Sequence, residues 1–170
     1  MPVLLEASCH CKAVKYTLES NTPVPYMLCQ CSICRKVGGY MGSVNIMGNT
    51  KTLKFIRGED KIKKYRAVKS YDKDDSPKER YGSERAFCTE CSSMLWCFDE
   101  QWADWIYPFA SCIDKPNPLP PIPEGETIRA IKRDSCPSHV PIPEGAKAYD
   151  DYGPGKGIED WHKSTGAWVD

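Results

Sequence analysis

Seven of the chain's ten cysteines fall into three short clusters, Cys9-x-Cys11, Cys29-x-Cys31-x-x-Cys34 and Cys88-x-x-Cys91. Thiolates bind zinc at about 2.3 Å in a tetrahedron, and structural sites close with four protein ligands. A C-x-x-C pair reaches one ion through a tight knuckle turn. A C-x-C pair does so along an extended segment, where residues two apart face the same way. Cys9 and Cys11 together with Cys88 and Cys91 can therefore complete one four-thiolate site, tying the start of the chain to a distant segment. Cys29, Cys31 and Cys34 remain as a three-thiolate set, one ligand short. Either a fourth ligand comes from Cys97, Cys112, Cys136, His10, His139 or His162, or the position is open. Ordinary roles account for most of these candidates. His10, between two ligands, should point away from them, and Cys97, beside Trp96, reads as a core thiol. His139 reads as a surface turn residue and His162 as the solvent side of the tail. Gln30 should face opposite its cysteine neighbours.

A zinc ion held by three thiolates has a net negative formal charge. It is poorly suited to making hydroxide from water. An incoming thiol suits it better, because coordination deprotonates the thiol and the electron-rich centre keeps the sulfur nucleophilic.

The elements that must position these thiols are short strands. "AVKYTL" alternates with Val14, Tyr16 and Leu18 on one face, the period of a half-buried strand. "GYMGSVNIM", "KTLKFIRG", "KIKKYRAV", "ERAFC", "SMLWCF" and "ADWIYPFAS" are further strand candidates bounded by turn residues. A helical turn is expected after Cys31, stopped by Gly38 and Gly39. "SYDKDDSPKERYGS" reads as a surface loop. Most of the 14 prolines lie beyond Asp114, and "PIPEG" occurs at 121–125 and 141–145. The expected organisation is a metal-binding domain over 1–115 and an extension over 116–170 that packs on the same domain. A short tail helix should present Trp161, with Trp168 as a second candidate, to the body.

Composition limits the function classes. Lysine and arginine number 23 and aspartate and glutamate 23, so no net charge draws the chain to nucleic acid or anionic lipid, and neither is an expected partner. No apolar run approaches the ~18 residues of a spanning helix, and the N-terminus lacks a basic n-region. A cytosolic or nuclear chain is expected, with the cytoplasm preferred, where thiols stay reduced. A homo-oligomer is compatible with all of this.

"SCHCKAVKY", "CQCSICRKVGG" and "RAFCTECSSMLW" resemble, in order and spacing, the glutathione-dependent formaldehyde-activating enzyme family, which includes centromere protein V. The motif-bearing resemblance spans roughly 6–115, and "SHVPIP" and "DWHKSTGAWVD" look like the extension of fungal members. The resemblance implies a mainly β fold, a β-tent of small antiparallel sheets pinned by zinc. It implies a structural zinc on Cys9, Cys11, Cys88 and Cys91, and a catalytic zinc with an open position on Cys29, Cys31 and Cys34. The implied activity is that of a carbon–sulfur lyase, adding glutathione to formaldehyde to give S-hydroxymethylglutathione or acting on a related thiol–aldehyde adduct. Arg35 and Lys36 are candidates for holding a glutathione carboxylate, or for an ordinary solvated helix face. Lys12 and Ser92 stand where the family usually has glycine, a departure costing on the order of 1 kcal/mol if the backbone there is left-handed. The alternative is a non-catalytic zinc-stabilised interaction module similar to centromere protein V, against which the missing polybasic tail speaks.

Overall fold

A computed structural model describes residues 1–155 and 157–170. Its first half contains β1 (Val3–Ser8), β2 (Lys15–Ser20), β3 (Met27–Cys29), α1 (Ser32–Gly38), β4 (Ser43–Val44), β5 (Gly48–Asn49) and β6 (Lys54–Arg57). There follow β7 (Ile62–Tyr71), β8 (Pro77–Cys88), β9 (Met94–Phe98), β10 (Trp105–Pro108) and β11 (Ile113–Lys115). Beyond these lie β12 (Arg129–Ile131), β13 (Lys147–Ala148) and α2 (Ile158–Ser164). The fold is mainly β, as expected, and its strands form three small sheets ordered β11-β1-β2-β6, β5-β10-β9-β8-β7 and β13-β12-β3-β4.

The alternation in "AVKYTL" is the reason the first two sheets meet. Val14, Tyr16 and Leu18 are fully buried, and Tyr16 packs edge-on against Trp96 at 5.1 Å between ring centroids. The Tyr16 hydroxyl donates to the Leu95 carbonyl at 3.1 Å, which satisfies its polar tip inside the core. The third sheet is where the extension enters. β12 runs parallel to β3, with Ile131 opposite Cys29, and Gln30 N–H donates to the Ile131 carbonyl at 2.9 Å. Residues far beyond the cysteine clusters thus become the direct neighbours of one of them.

The segment read as a surface loop, "SYDKDDSPKERYGS", is instead the outer half of a long hairpin. β7 and β8 pair from Ile62↔Cys88 to Tyr71↔Pro77, leaving only Asp72–Ser76 as the turn, closed by Asp72 N–H to Ser76 O at 2.9 Å. Most residues along this arm are exposed on both faces, and cross-strand ion pairs such as Lys69–Glu79 at 2.8 Å line it. With no buried face there is no apolar alternation to read.

The tail docks through α2. Trp161 stacks on Tyr26 at 3.7 Å with the rings 4° from parallel, while Trp168 is half-buried beneath the Lys163 ammonium. His162, expected on the solvent side, is fully buried. Backbone partners explain this: the Ile158 carbonyl lies 2.7 Å from Nδ1, and Val24 N–H donates to Nε2 at 3.2 Å. Together these bonds require a neutral Nδ1–H ring. Burial lowers the His162 pKa, against an upward pull from the Ile158 carbonyl. A depressed folded-state pKa means the unfolded chain takes up the proton first, so the contribution to stability is full above the ordinary value of about 6.5 and is lost as pH falls below it. Urea midpoints, followed by tryptophan emission, are expected to drop between about pH 7.5 and about pH 5.5, a window that brackets the ordinary imidazole pKa. The drop should be smaller in His162→Gln, and equal drops in both proteins would show that His162 has no part in it.

Candidate metal centres and cleft

The four sulfurs of Cys9, Cys11, Cys88 and Cys91 lie within 4.8 Å of one another. Two turns deliver them. The first follows β1, where Lys12 N–H donates to Cys9 O at 3.0 Å and Val14 N–H to Cys9 Sγ at 3.2 Å. This C-x-C is therefore a tight turn and not the extended segment expected from its spacing. The second joins β8 to β9, with Ser92 N–H to Cys88 O at 2.9 Å. His10 N–H reaches Ser93 Oγ at 3.0 Å and ties the two turns together. Cys91 is lowered to about 5 by the Ser93 hydroxyl and nearby backbone N–H groups. Cys11, despite a downward pull from the Ala13 backbone, is raised to about 12 by burial and the neighbouring sulfurs. Close-packed thiols cannot all ionise unaided, and a divalent cation is what lets such a set do so.

Each turn carries a left-handed residue that is not glycine: Lys12 at φ 62° and Ser92 at φ 60°. The two differ in compensation. Lys12 Nζ donates to Ser8 Oγ at 2.9 Å and to Asp114 Oδ1 at 3.0 Å, whereas Ser92 is exposed. Ser92→Gly should therefore stabilise, since relief of about 1–2 kcal/mol exceeds the roughly 0.4–1 kcal/mol by which glycine frees the unfolded chain. A rise in thermal midpoint of ~1–3 °C is expected for a chain of this size. Lys12→Gly should gain nothing, because it forfeits the contacts with Ser8 and Asp114.

The sulfurs of Cys29, Cys31 and Cys34 also lie within 4.8 Å of one another. Cys29 ends β3, and Cys31 is the N-cap of α1, its extended backbone (φ −61°, ψ 161°) turning Sγ to accept from Cys34 N–H at 3.3 Å. Cys34 follows one turn on and is buried. Hydrogen bonds from Cys29 and then Cys34 lower Cys31 to about 2, and the same contact raises Cys29. Among the described residues no fourth histidine, cysteine or carboxylate joins this group. Cys112 donates to Met94 O at 2.6 Å, Cys136 lies beside Pro137 O at 3.7 Å, and His139 is exposed near Tyr40.

The spacer of this cluster is held from several sides. Gln30 is fully buried and faces away from the sulfurs, donating to Met41 O at 3.1 Å and Pro141 O at 3.0 Å and accepting from Arg133. Arg35 gives its guanidinium to Gln30 O and Ser135 O, both at 3.1 Å, while Lys36 is exposed. Gly42, at φ +101°, passes so close that a Cβ would sit 2.2 Å from Cys29 O, which only glycine permits.

Cys29 and Cys34 open onto a cleft of about 380 Å³ that Cys97 also lines. Burial raises the Cys97 thiol to about 12, with Arg85 pulling the other way. Arg85 pairs directly with Cys97 across β8 and β9. It is buried, and its Nε and Nη1 have no hydrogen-bond partner. Neither its placement nor that of the cleft walls was expected. Strand register brings Arg85 to Cys97, and residues from separate ends of the chain build the cleft. The polar context "SERAFC" gave no local signal for either.

The profile of the family described as glutathione-dependent formaldehyde-activating enzyme matches residues 4–125. The chain belongs to this family. A Halomonas elongata relative, named provisionally as a glutathione-dependent formaldehyde-activating enzyme, is 37% identical over 167 residues, covering 96% of this chain and 98% of its own. That relative is bacterial, so an extension of this length is not restricted to fungal members of the glutathione-dependent formaldehyde-activating family. A crystal structure of a Rhodobacter sphaeroides protein shares the fold, with TM-score 0.51 and 19% identity over 66% of this chain and 91% of that one. Among the described residues no helix is long and apolar enough to cross a membrane.

Proposed function

We propose that this chain joins glutathione to an aldehyde or releases it, and that Cys29, Cys31 and Cys34 would hold a catalytic zinc beside the reacting thiol. Cys9, Cys11, Cys88 and Cys91 would hold a second, structural zinc. The observation that carries this reading is the contrast between the clusters. The four-sulfur group offers four donors to one ion, while the three-sulfur group has no fourth histidine, cysteine or carboxylate among the described residues and faces a cleft. Zinc bound at the three sulfurs would lower the pKa of an incoming thiol and keep it nucleophilic.

The reaction is the reversible cleavage of an S-hydroxymethyl thiol adduct into the free thiol and formaldehyde. In cleavage the C–S bond breaks with its electron pair on sulfur, the hydroxyl loses its proton as C=O forms, and a proton is returned to the thiolate. Formation is the reverse, so the activity is that of a carbon–sulfur lyase. The chain's own part is placement. The Gln30 clamp and the Gly42 turn fix the spacer between Cys29 and Cys31, and the α1 cap aims Cys31 at its partners. Arg35 acts by fastening the loop, leaving exposed Lys36 to meet a glutathione carboxylate. Residues 1–115 form the zinc-binding domain and 116–170 an extension on the same body, in a cytoplasmic protein. The glutathione- and formaldehyde-linked reaction class is supported by family membership and the relative's name.

Metal quantitation by mass spectrometry, with and without glutathione, tests the reading. Two zinc equivalents, one made exchangeable by the thiol, together with turnover of S-hydroxymethylglutathione, are expected. Two equally inert ions and no turnover would refute it.

A further inference from the structure

The cleft beside Cys29 and Cys34 is far larger than formaldehyde needs. At about 380 Å³ it falls in the size range of sites for whole organic ligands, roughly 300–1,000 Å³. Its walls are apolar: Phe98, Trp102, Tyr107 and Tyr152 supply aromatic faces, and Ile131 and Ile158 aliphatic ones. A neighbouring hollow of about 560 Å³ shares Met27, Trp102, Tyr107, Tyr152 and Ile158 with it. Trp102 and Tyr152 are 55% and 63% exposed, leaving two large rings at the mouth in water where an apolar guest would cover them.

The polar groups in the cleft are few and partly committed. Asn45 Nδ2 donates to Tyr107 O at 2.9 Å, and Asp99 Oδ1 accepts from Gln101 N–H at 3.0 Å. Among the described lining residues there is no lysine or arginine. Asp99 is the one charged side chain among the described lining residues; the nearest cations stand behind the wall, Arg85 against Cys97 and the Lys132 ammonium 5.4 Å from the Tyr152 ring. With a small aldehyde only the glutathione half could cover these walls, and its carboxylates and amides do not match aromatic faces.

We infer that the aldehyde half of the substrate carries an uncharged aromatic or bulky apolar group, seated between Trp102, Tyr107 and Tyr152, and that the extension contributes to this preference through Tyr152. This rests on the proposed reaction at the three sulfurs. The cleavage is RS–CH(OH)R′ → RSH + O=CHR′, with the same bonds broken and formed as for formaldehyde and R′ untouched. Ile131, Tyr152 and Ile158 lie outside the family-matched span of 4–125. The extension therefore supplies one side of the wall that selects R′, while Phe98, Trp102, Tyr107 and the reacting sulfurs come from the family-matched span.

The test uses two unreactive thioethers, S-methylglutathione and S-benzylglutathione, titrated calorimetrically into the metal-loaded protein. Benzyl is expected to bind at least ~10-fold more tightly than methyl, the scale set by filling an apolar pocket. The ratio should shrink several-fold in Tyr152→Ala and in Trp102→Ala, both at exposed positions where truncation spares the core. In turnover, kcat/KM for the benzaldehyde adduct should exceed that for the formaldehyde adduct by a similar factor. Equal affinities, or a ratio unmoved by both variants, would overturn the inference. If formaldehyde-adduct turnover then still depended on Cys31, the proposed reaction would stand without it. Absence of both thioether binding and turnover would overturn the two together.

Discussion

Cys31→Ser is expected to fold normally, to lose one metal equivalent, and to turn over thiol–aldehyde adducts at least ~100-fold more slowly, since even outer-sphere changes at metal sites cost 10–100-fold. The substitution separates two jobs of one side chain. Cys31 Sγ caps α1 by accepting from Cys34 N–H at 3.3 Å, and serine is among the preferred capping residues. The helix start should therefore survive. What serine cannot supply is a thiolate. Metal analysis, circular dichroism and turnover read the three consequences separately. Unchanged turnover, with folding intact, would place the chemistry elsewhere in the molecule.

Cysteine spacing made the two clusters legible because a metal imposes a local rule on the chain: two sulfurs must reach one ion within a turn. The left-handed positions at Lys12 and Ser92 were legible only through the family resemblance, as residues standing where the family usually has glycine; the spacing of Cys9 and Cys11 suggested extended backbone there. The hairpin arm of β7 and β8 was not, because a strand pair exposed on both faces carries no apolar alternation to mark its register. His162 was misplaced because its burial depends on Ile158 O and Val24 N–H, two backbone groups that no side-chain pattern displays. The cleft was the least legible feature. Cys34, Trp102, Ile131 and Tyr152 meet there only because β12 pairs with β3 across roughly a hundred residues of chain, and nothing in "RAI" announces that partnership.

Cys88→Ser addresses the other cluster and should have a different kind of effect. Cys88 is fully buried and ends β8 opposite Ile62. Its carbonyl accepts from Ser92 N–H, and its sulfur belongs to the group that joins the turn after β1 to the turn after β8. Cys9 and Cys88 both sit in the main hydrophobic core, so the cluster is continuous with the packing of the first two sheets. Structural zinc binding contributes roughly 10–16 kcal/mol in small peptides that fold around the metal. A net stability of roughly 5–15 kcal/mol is typical of whole domains. A core of this size carries part of the fold unaided, so the full value will not be lost. Forfeiting even a third of it, about 4 kcal/mol, would lower the thermal midpoint by ~8–16 °C in a chain of this length. Cys88→Ser is therefore expected to lose midpoint, solubility and the inert metal equivalent together, and chelation of that metal from the parent protein should reproduce the shift. Cys31→Ser, which touches only the open cluster, should move the midpoint by far less. If the two variants fell equally, the division into a structural and a reactive centre would be wrong, and both ions would have to be treated as supports of one fold.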